Sequence, residues 1–431
     1  MSIKICATGD SIMMEAFPAE YDALPVISDF ISAADLRINN LEMVLSEYDC
    51  HASTFCGGTW LTSETSNLDE LCMFNFNYFS FANNHTMDYS YGGLVSTLDA
   101  LDARGLSHSG AGMDLESASR HATVETKKGK AGIIAITATC DDAARAGNPG
   151  PVIPARPGLN MLRHSEIYQI SEIHMQAVKE IAAATKINGR IDNSKKGGYT
   201  LSQPGVFQLG SLLFALNQNE GKRTIPNPVD MERMHNAIIN ARKEVDYVIV
   251  CFHSHEIPGL TDDEPDYFIE EFARACVDWG ASAVIGSGTH QLKGIEIYKG
   301  KPIFYSIANF IFQVDHIHQL PADYYEKYGL SLDMTAEEAL AVRSCNGKRG
   351  LQTDFRNYRA IIPMMEFEGE TLIKLILKPI ELGFERSFAL KGLPHEADEA
   401  AANEIFSRLS RLSEPYKTEM HMEDGLIHIT L

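Results

Sequence analysis

Short apolar runs that break off at a polar side chain recur along this chain, and between them apolar residues fall three and four positions apart. Runs of the first kind predict buried strands, and spacing of the second kind predicts helices. Residues 3–9 predict a strand that ends on Gly9-Asp10, and residues 36–41 one that ends at Glu42. A helix is predicted over 67–76 and a strand over 78–82, which meets Asn83-Asn84-His85; Leu94, Leu98 and Leu101 follow at helical spacing. Strands over 121–127 and 130–138 join through Lys128-Gly129 as a hairpin. Later come a helix over 230–243, a very apolar strand over 247–252 running into His253, a helix over 266–279, and a strand over 283–286 leading to His290. A hairpin of 294–298 and 302–307 leads to Asn309, strands are predicted near 359–368 and 371–378, and a helix over 399–412 precedes a final short strand.

This alternation predicts a layered α/β domain rather than separate helical and sheet modules. Two polar stretches interrupt it. Residues 141–226 are rich in Gly, Pro and Asn with one amphipathic helix near 171–184, and read as an insertion placed to cap a site; residues 314–350 form the second. The expected organisation is one domain over 1–385 carrying both insertions, with the helix and strand of 386–431 packed on it. No repeat of fixed period is present.

Composition narrows the class. With 431 residues, 45% hydrophobic and 22% charged, the chain is an ordinary globular one, and no segment approaches the roughly 20 apolar residues that span a bilayer. Set against each other, 37 basic and 58 acidic residues give a net charge of −21, which disfavours nucleic acid or an anionic membrane surface as a partner. Bound divalent cations would supply a local positive field without entering that count. A strand beginning at Ile3 leaves no room for a signal peptide, and the eight cysteines are scattered without a CxxC pair, so reduced core thiols and a cytoplasmic location are expected. The expected partner is a small or peptide-like anionic substrate; a homo-oligomer is compatible with the sequence.

Five predicted strands each end on a residue able to bind a metal: Asp10, Glu42, Asn84 with His85, His253, and His290. Taken singly each has a plain alternative, Asp10 as a turn or N-cap residue, Glu42 as a solvated carboxylate, His253 as a hydrogen-bonded core histidine. Together they gather at the carboxyl ends of strands, where sheets of this kind hold ligands.

Ala7-Thr8-Gly9-Asp10, Asn40-Leu41-Glu42, Phe81-Ala82-Asn83-Asn84-His85 with Asp88 and Gly92, and Gly110-Ala111-Gly112 resemble the CapA-type capsule-synthesis (poly-gamma-glutamate biosynthesis) family. So do His253 with Glu256, Val284-Ile285-Gly286 leading to His290 and Gly294, and Pro302-Ile303-Phe304-Tyr305-Ser306 leading to Asn309-Phe310. These motifs cover roughly residues 3–312. The resemblance implies a calcineurin-like metallophosphoesterase fold, a four-layer α-β-β-α sandwich with insertions, and a site for two divalent metal ions, Mn, Zn or Fe. By the same resemblance Asp10 binds one metal, Glu42 takes the place of the bridging carboxylate, Asn84 and His253 bind the second, and His290 is a ligand from the last motif. His85 becomes an acid or electrophile beside the metals.

Two departures from the family pattern bear on the ligand count. Ile12 stands where the wider superfamily has a histidine, and Ser287 where family members usually carry one. His255, in His253-Ser254-His255-Glu256, is a candidate to compensate, as a ligand or a substrate contact. Asp88 is expected to orient His85 or cap the next helix, and Glu256 to steady His253 or contact substrate. Arg156, Asn160 and Arg163 in the first insertion are candidates to meet an anionic group, with a solvated loop arginine as the alternative. The function this predicts is a metal-dependent hydrolase in which activated water attacks an amide, of gamma-glutamyl type, or a related bond. The alternatives are a phosphoesterase and a non-catalytic capsule-synthesis binding subunit.

Overall fold

The computed structural model describes residues 2–201 and 204–431; Met1 and residues 202 and 203 of the first predicted insertion lie outside them. The chain is mixed α/β, built on a ten-stranded and a six-stranded sheet that contribute to one hydrophobic core. In the larger sheet the strand Ser2–Ile12 pairs in parallel with Leu36–Leu41 and Asn309–Phe312, and antiparallel with Arg359–Glu368. Tyr78–Ser80 and Ser107–Ser109 extend the parallel side. The smaller sheet is centred on Tyr247–Ser254, parallel to Gly129–Thr137 and to Ala283–Gly288.

A parallel strand covered on both faces needs an unbroken apolar run, and every residue of Tyr247–Ser254 is buried. Its two faces serve different layers. Ile249 and Cys251 enter the core shared with the larger sheet, whereas Val248, Val250 and Phe252 pack with Met234 and Ile238 of the helix Pro228–Ala241 and with Phe268 and Phe272 of the helix Tyr267–Asp278. That second helix buries Phe268, Ile269, Phe272, Ala273, Cys276 and Val277, the three-and-four spacing of one apolar stripe.

Two strands run beyond their predicted ends. Ser2–Ile12 includes Asp10, whose register partner is Asn309, and Tyr247–Ser254 includes His253, opposite both Thr137 and Ser287. Neighbouring strands carry the ladder past the last apolar residue, so these polar side chains stand on sheet backbone instead of on loops.

The first insertion departs further from expectation. It builds its own four-stranded sheet from His164–Ile170, Val206–Leu209, Leu212–Leu216 and Gly221–Pro226, with two helices, Glu172–Thr185 and Gly189–Lys196. Those strands are short and only half-buried, so they lack the apolar density that marks the central strands. The second insertion carries the helices Ala322–Tyr328 and Ala336–Arg343, and its Tyr324, Tyr325 and Ala339 pack with Val44, Trp60 and Tyr89 of the main body. At the chain's end the helix Glu399–Ser413 buries Ile405 and Leu409 in the shared core. A hairpin, Met420–Glu423 with Leu426–Ile429, follows it where a single strand was expected, and forms an edge of the larger sheet. All eight cysteines are free thiols. No helix among the described residues is long and apolar enough to cross a membrane.

Candidate metal centre

Asp10 reaches the centre through two local features. A Cβ on Gly9 would lie 1.7 Å from the Ala308 carbonyl oxygen, so only glycine permits the approach in which the Asp10 amide donates to that oxygen at 3.1 Å. Between Ala7 and Asp10 the ladder with Leu36–Leu41 shifts by a residue, and a bulge of this kind re-aims a side chain. The Asp10 carboxylate is fully buried; its Oδ1 accepts from Asn40 Nδ2 at 2.7 Å and its Oδ2 from the Gly288 amide at 3.0 Å. Burial alone would raise its pKa, but the His253 and His290 imidazoles and the Ser287 hydroxyl hold it below the usual carboxylate range.

Glu42 is also fully buried, and neither of its carboxylate oxygens has a hydrogen-bond partner. Burial first, and then the charges of Asp10 and Asp88, push its carboxyl well above the ordinary range. A buried carboxylate with no donor costs several kcal/mol unless a cation neutralises it, so this orphaned group fits a cation. The surrounding donors fit one too. Asp10, Glu42 and His253 place ligand atoms within 4.8 Å of one another, and Glu42, His255 and His290 do the same. Glu42 belongs to both groups.

Around His253 the donors converge. Its Nε2 lies 2.7 Å from Asn84 Oδ1, 3.1 Å from His255 Nε2 and 3.4 Å from Glu42 Oε1. Asn84 is turned this way because its Nδ2 donates to the Gly57 carbonyl at 2.9 Å. Imidazole, amide and carboxylate donors in one place suit Zn, Mn or Fe rather than Ca. On the other edge of the ring, Ser287 Oγ is 3.2 Å from His253 Nδ1.

His290 sits in the left-handed region with φ of 60°, a conformation that costs a non-glycine residue roughly 1–3 kcal/mol. Asn309 holds it there: its Oδ1 is 2.8 Å from His290 Nδ1, and its Nδ2 donates to the Asn357 carbonyl at 2.9 Å. His290 Nδ1 is 3.8 Å from Asp10 Oδ2 and 4.0 Å from Glu42 Oε2. Burial pushes this imidazole down to about 4, which leaves it neutral at pH 7, as a ligand must be.

His85 and Asp88 form a separate pair beside these groups. His85 Nδ1 donates to Asp88 Oδ2 at 2.7 Å, and Asp88 also accepts the Gly57 and Leu61 amides, both at 2.9 Å. With three N–H groups on it, Asp88 is occupied in orienting His85; the following helix Ser90–Ala103 takes no side-chain cap. His85 lines a cavity of about 370 Å³ together with His255 and His290.

Four candidates from the sequence go elsewhere. Arg163 is held by Asp230 at 2.8 Å, Asn160 is buried with its Nδ2 donating to the Ala135 carbonyl at 2.8 Å, and Arg156 Nε donates to the Arg145 carbonyl at 2.9 Å. Arg163 and Asn160 tie the first insertion to the main body, Arg156 fastens the insertion to itself, and none of the three lines the cavity. Glu256 accepts from Ser254 Oγ and Thr139 Oγ1, both at 2.7 Å, so it braces the loop that carries His255 and does not touch His253. None of the described residues of 141–226, where a cap was expected, lines the cavity, whose outer wall comes from the second insertion. Conversely, Asn40 and Asn309 position Asp10 and His290 without having been singled out for that. A polar side chain within a buried strand was the available signal for both.

Comparison with known proteins identifies the family. The family model described as bacterial capsule synthesis protein PGA_cap matches residues 4–314. Uncharacterized protein y4uA of Sinorhizobium fredii (strain NBRC 101917 / NGR234) is 29% identical over 98% of this chain and 92% of its own length. PGA biosynthesis protein CapA of Bacillus subtilis (strain 168) is 33% identical over 28% of this chain and 31% of its own. Probable polyglutamine synthesis accessory protein Rv0574c of Mycobacterium tuberculosis (strain ATCC 25618 / H37Rv) is 25% identical over 53% of this chain and 43% of its own. With a family model spanning most of the two-sheet body and every residue of the candidate centre, this chain belongs to the bacterial capsule synthesis family of CapA type.

Proposed function

We propose that this protein is a metal-dependent hydrolase with two divalent cations, Mn, Zn or Fe, on a four-layer α-β-β-α framework of the calcineurin-like kind. The observation that carries the reading is Glu42, a buried carboxylate with two partnerless oxygens that belongs to both groups of ligand atoms. Asp10, Glu42, Asn84, His253, His255 and His290 would hold the cations. When bound, such a pair lowers the pKa of a water and polarises the oxygen of the bond to be cleaved.

The chain's own residues then have distinct tasks. Asn40 and the Gly288 amide fix the Asp10 carboxylate, and Asn309 fixes the His290 ring. Asp88 accepts a hydrogen bond from His85 Nδ1–H, which orients the ring and would stabilise its imidazolium form; that form carries a second proton on Nε2, the one delivered to the leaving atom. The bond proposed is an amide of gamma-glutamyl type, in a small or peptide-like anionic substrate, in keeping with the CapA name of the Bacillus relative. A phosphoester is the alternative. The name of the mycobacterial relative, an accessory protein, supports a second reading, a binding subunit that keeps the site without turnover.

Metal analysis of the purified protein, followed by hydrolysis assays on gamma-glutamyl amides and generic phosphate esters with added Mn, Zn or Fe, separates these readings. Bound metal and metal-stimulated cleavage of the amide are expected. Cleavage of the ester alone selects the phosphoesterase, metal without turnover of either selects the binding subunit, and absence of metal overturns the centre itself.

A further inference from the structure

The cavity at the metal-facing histidines is walled by the second insertion and by the chain near Lys391, and two cations line it. Lys391 is already committed: its Nζ lies 2.8 Å from Asp315 Oδ2, another lining residue. Arg343 is not. At the last position of the helix Ala336–Arg343 it is half-buried in the lining, and among the described residues it forms no ion pair and no side-chain hydrogen bond. Several arginines of comparable burial are matched, Arg163 with Asp230, Arg359 with Glu381 and Glu404, Arg274 with Glu296; Arg145 is half-buried without such a pair, but it does not line the cavity. Glu337, at the other end of the same helix, is exposed at the cavity and makes no ion pair with Arg343.

We infer that Arg343 is the carboxylate-binding residue of the substrate cavity, so that the second insertion, rather than the first, reads the anionic end of the substrate. A guanidinium presents a planar fork that matches a carboxylate at two points, and one with no protein partner keeps that fork available to a ligand. The same lining also offers apolar surface from Ile317, Leu340 and Leu351. The ligand is therefore a molecule that carries a carboxylate and an aliphatic portion together with the group presented to the metal centre. This rests on the hydrolase reading for the position of the scissile bond, and on the cavity alone for the carboxylate.

The test compares two ligands on full-length protein loaded with Mn²⁺: γ-L-glutamylglycine, and the analogue whose glutamyl α-carboxylate is a carboxamide. Apparent affinity is taken from calorimetry, or from KM where turnover occurs. The wild-type protein is expected to prefer the carboxylate by about tenfold or more, in line with one charge-assisted bidentate contact. Arg343→Gln should lose that preference through a weakened affinity or raised KM for the carboxylate ligand, with metal content unchanged, and Arg343→Lys should keep part of it. No preference in the wild-type protein, no binding of either ligand, or a preference intact in Arg343→Gln overturns the inference. Turnover without carboxylate preference would remove this inference and leave the hydrolase; carboxylate-dependent binding without turnover would do the reverse.

Discussion

Replacing Glu42 with glutamine is expected to strip the protein of divalent metal at both positions together while the fold persists. The substitution keeps the side chain's size and removes the charge that both groups of ligand atoms share. Two cations roughly 3.5–4 Å apart repel one another strongly unless an anion lies between them. The loss of affinity should therefore exceed the roughly 10–100-fold that removal of an outer partner of a ligand costs. Stability separates this from a folding defect. Neither Glu42 oxygen has a hydrogen-bond partner within the protein to lose, so after removal of metal the melting temperatures of wild-type and Glu42→Gln protein should agree or favour the variant. Added Mn²⁺ should raise only the wild-type value, since a ligand that binds the native state alone stabilises it, by about 2.7 kcal/mol at a hundredfold excess over Kd. Elemental analysis and thermal melting with and without metal check both halves.

The second large effect falls on chemistry and leaves the metal in place. His85→Ala is expected to lower turnover by roughly 10²–10⁴-fold, the contribution of a positioned general acid, with metal content unchanged. The separation follows from contacts. His85 spends Nδ1 on Asp88 at 2.7 Å, and it belongs to neither group of ligand atoms. If the variant loses metal in step with activity, His85 is a ligand and its assignment as a proton donor is wrong. Leaving-group dependence gives a further check, because the deficit should shrink for amides or esters whose leaving group needs no proton.

Much of the centre was legible in the sequence because it lies where apolar runs stop. The run that ends at His253 and the Gly9-Asp10 junction each mark a strand turning polar where it enters the site, and the structure keeps both residues on the strand itself. Ser287 was read only as a missing ligand. In three dimensions it sits against His253 Nδ1 and helps hold Asp10 ionised, while His255 comes to 3.1 Å of His253 from the loop beyond the strand.

What stayed hidden depends on contacts distant in sequence. Arg163 and Asp230 are 67 positions apart, and nothing local to the arginine tells a structural pair from a substrate contact. The same holds in reverse for Arg343, which sits in a polar stretch of ordinary appearance and becomes distinctive only once it lines the cavity without an ion pair of its own. The first insertion's sheet was missed because its strands are half-buried and carry a weak pattern, whereas the central strands, buried on both faces, cannot be anything else.

Anomalous diffraction from crystals grown with Mn²⁺ tests the central claim most directly. The account predicts two peaks on either side of the Glu42 carboxylate, one beside Asp10 and His253 and the other beside His255 and His290. Peaks elsewhere in the protein, or a Glu42 carboxylate that touches no metal, would contradict it.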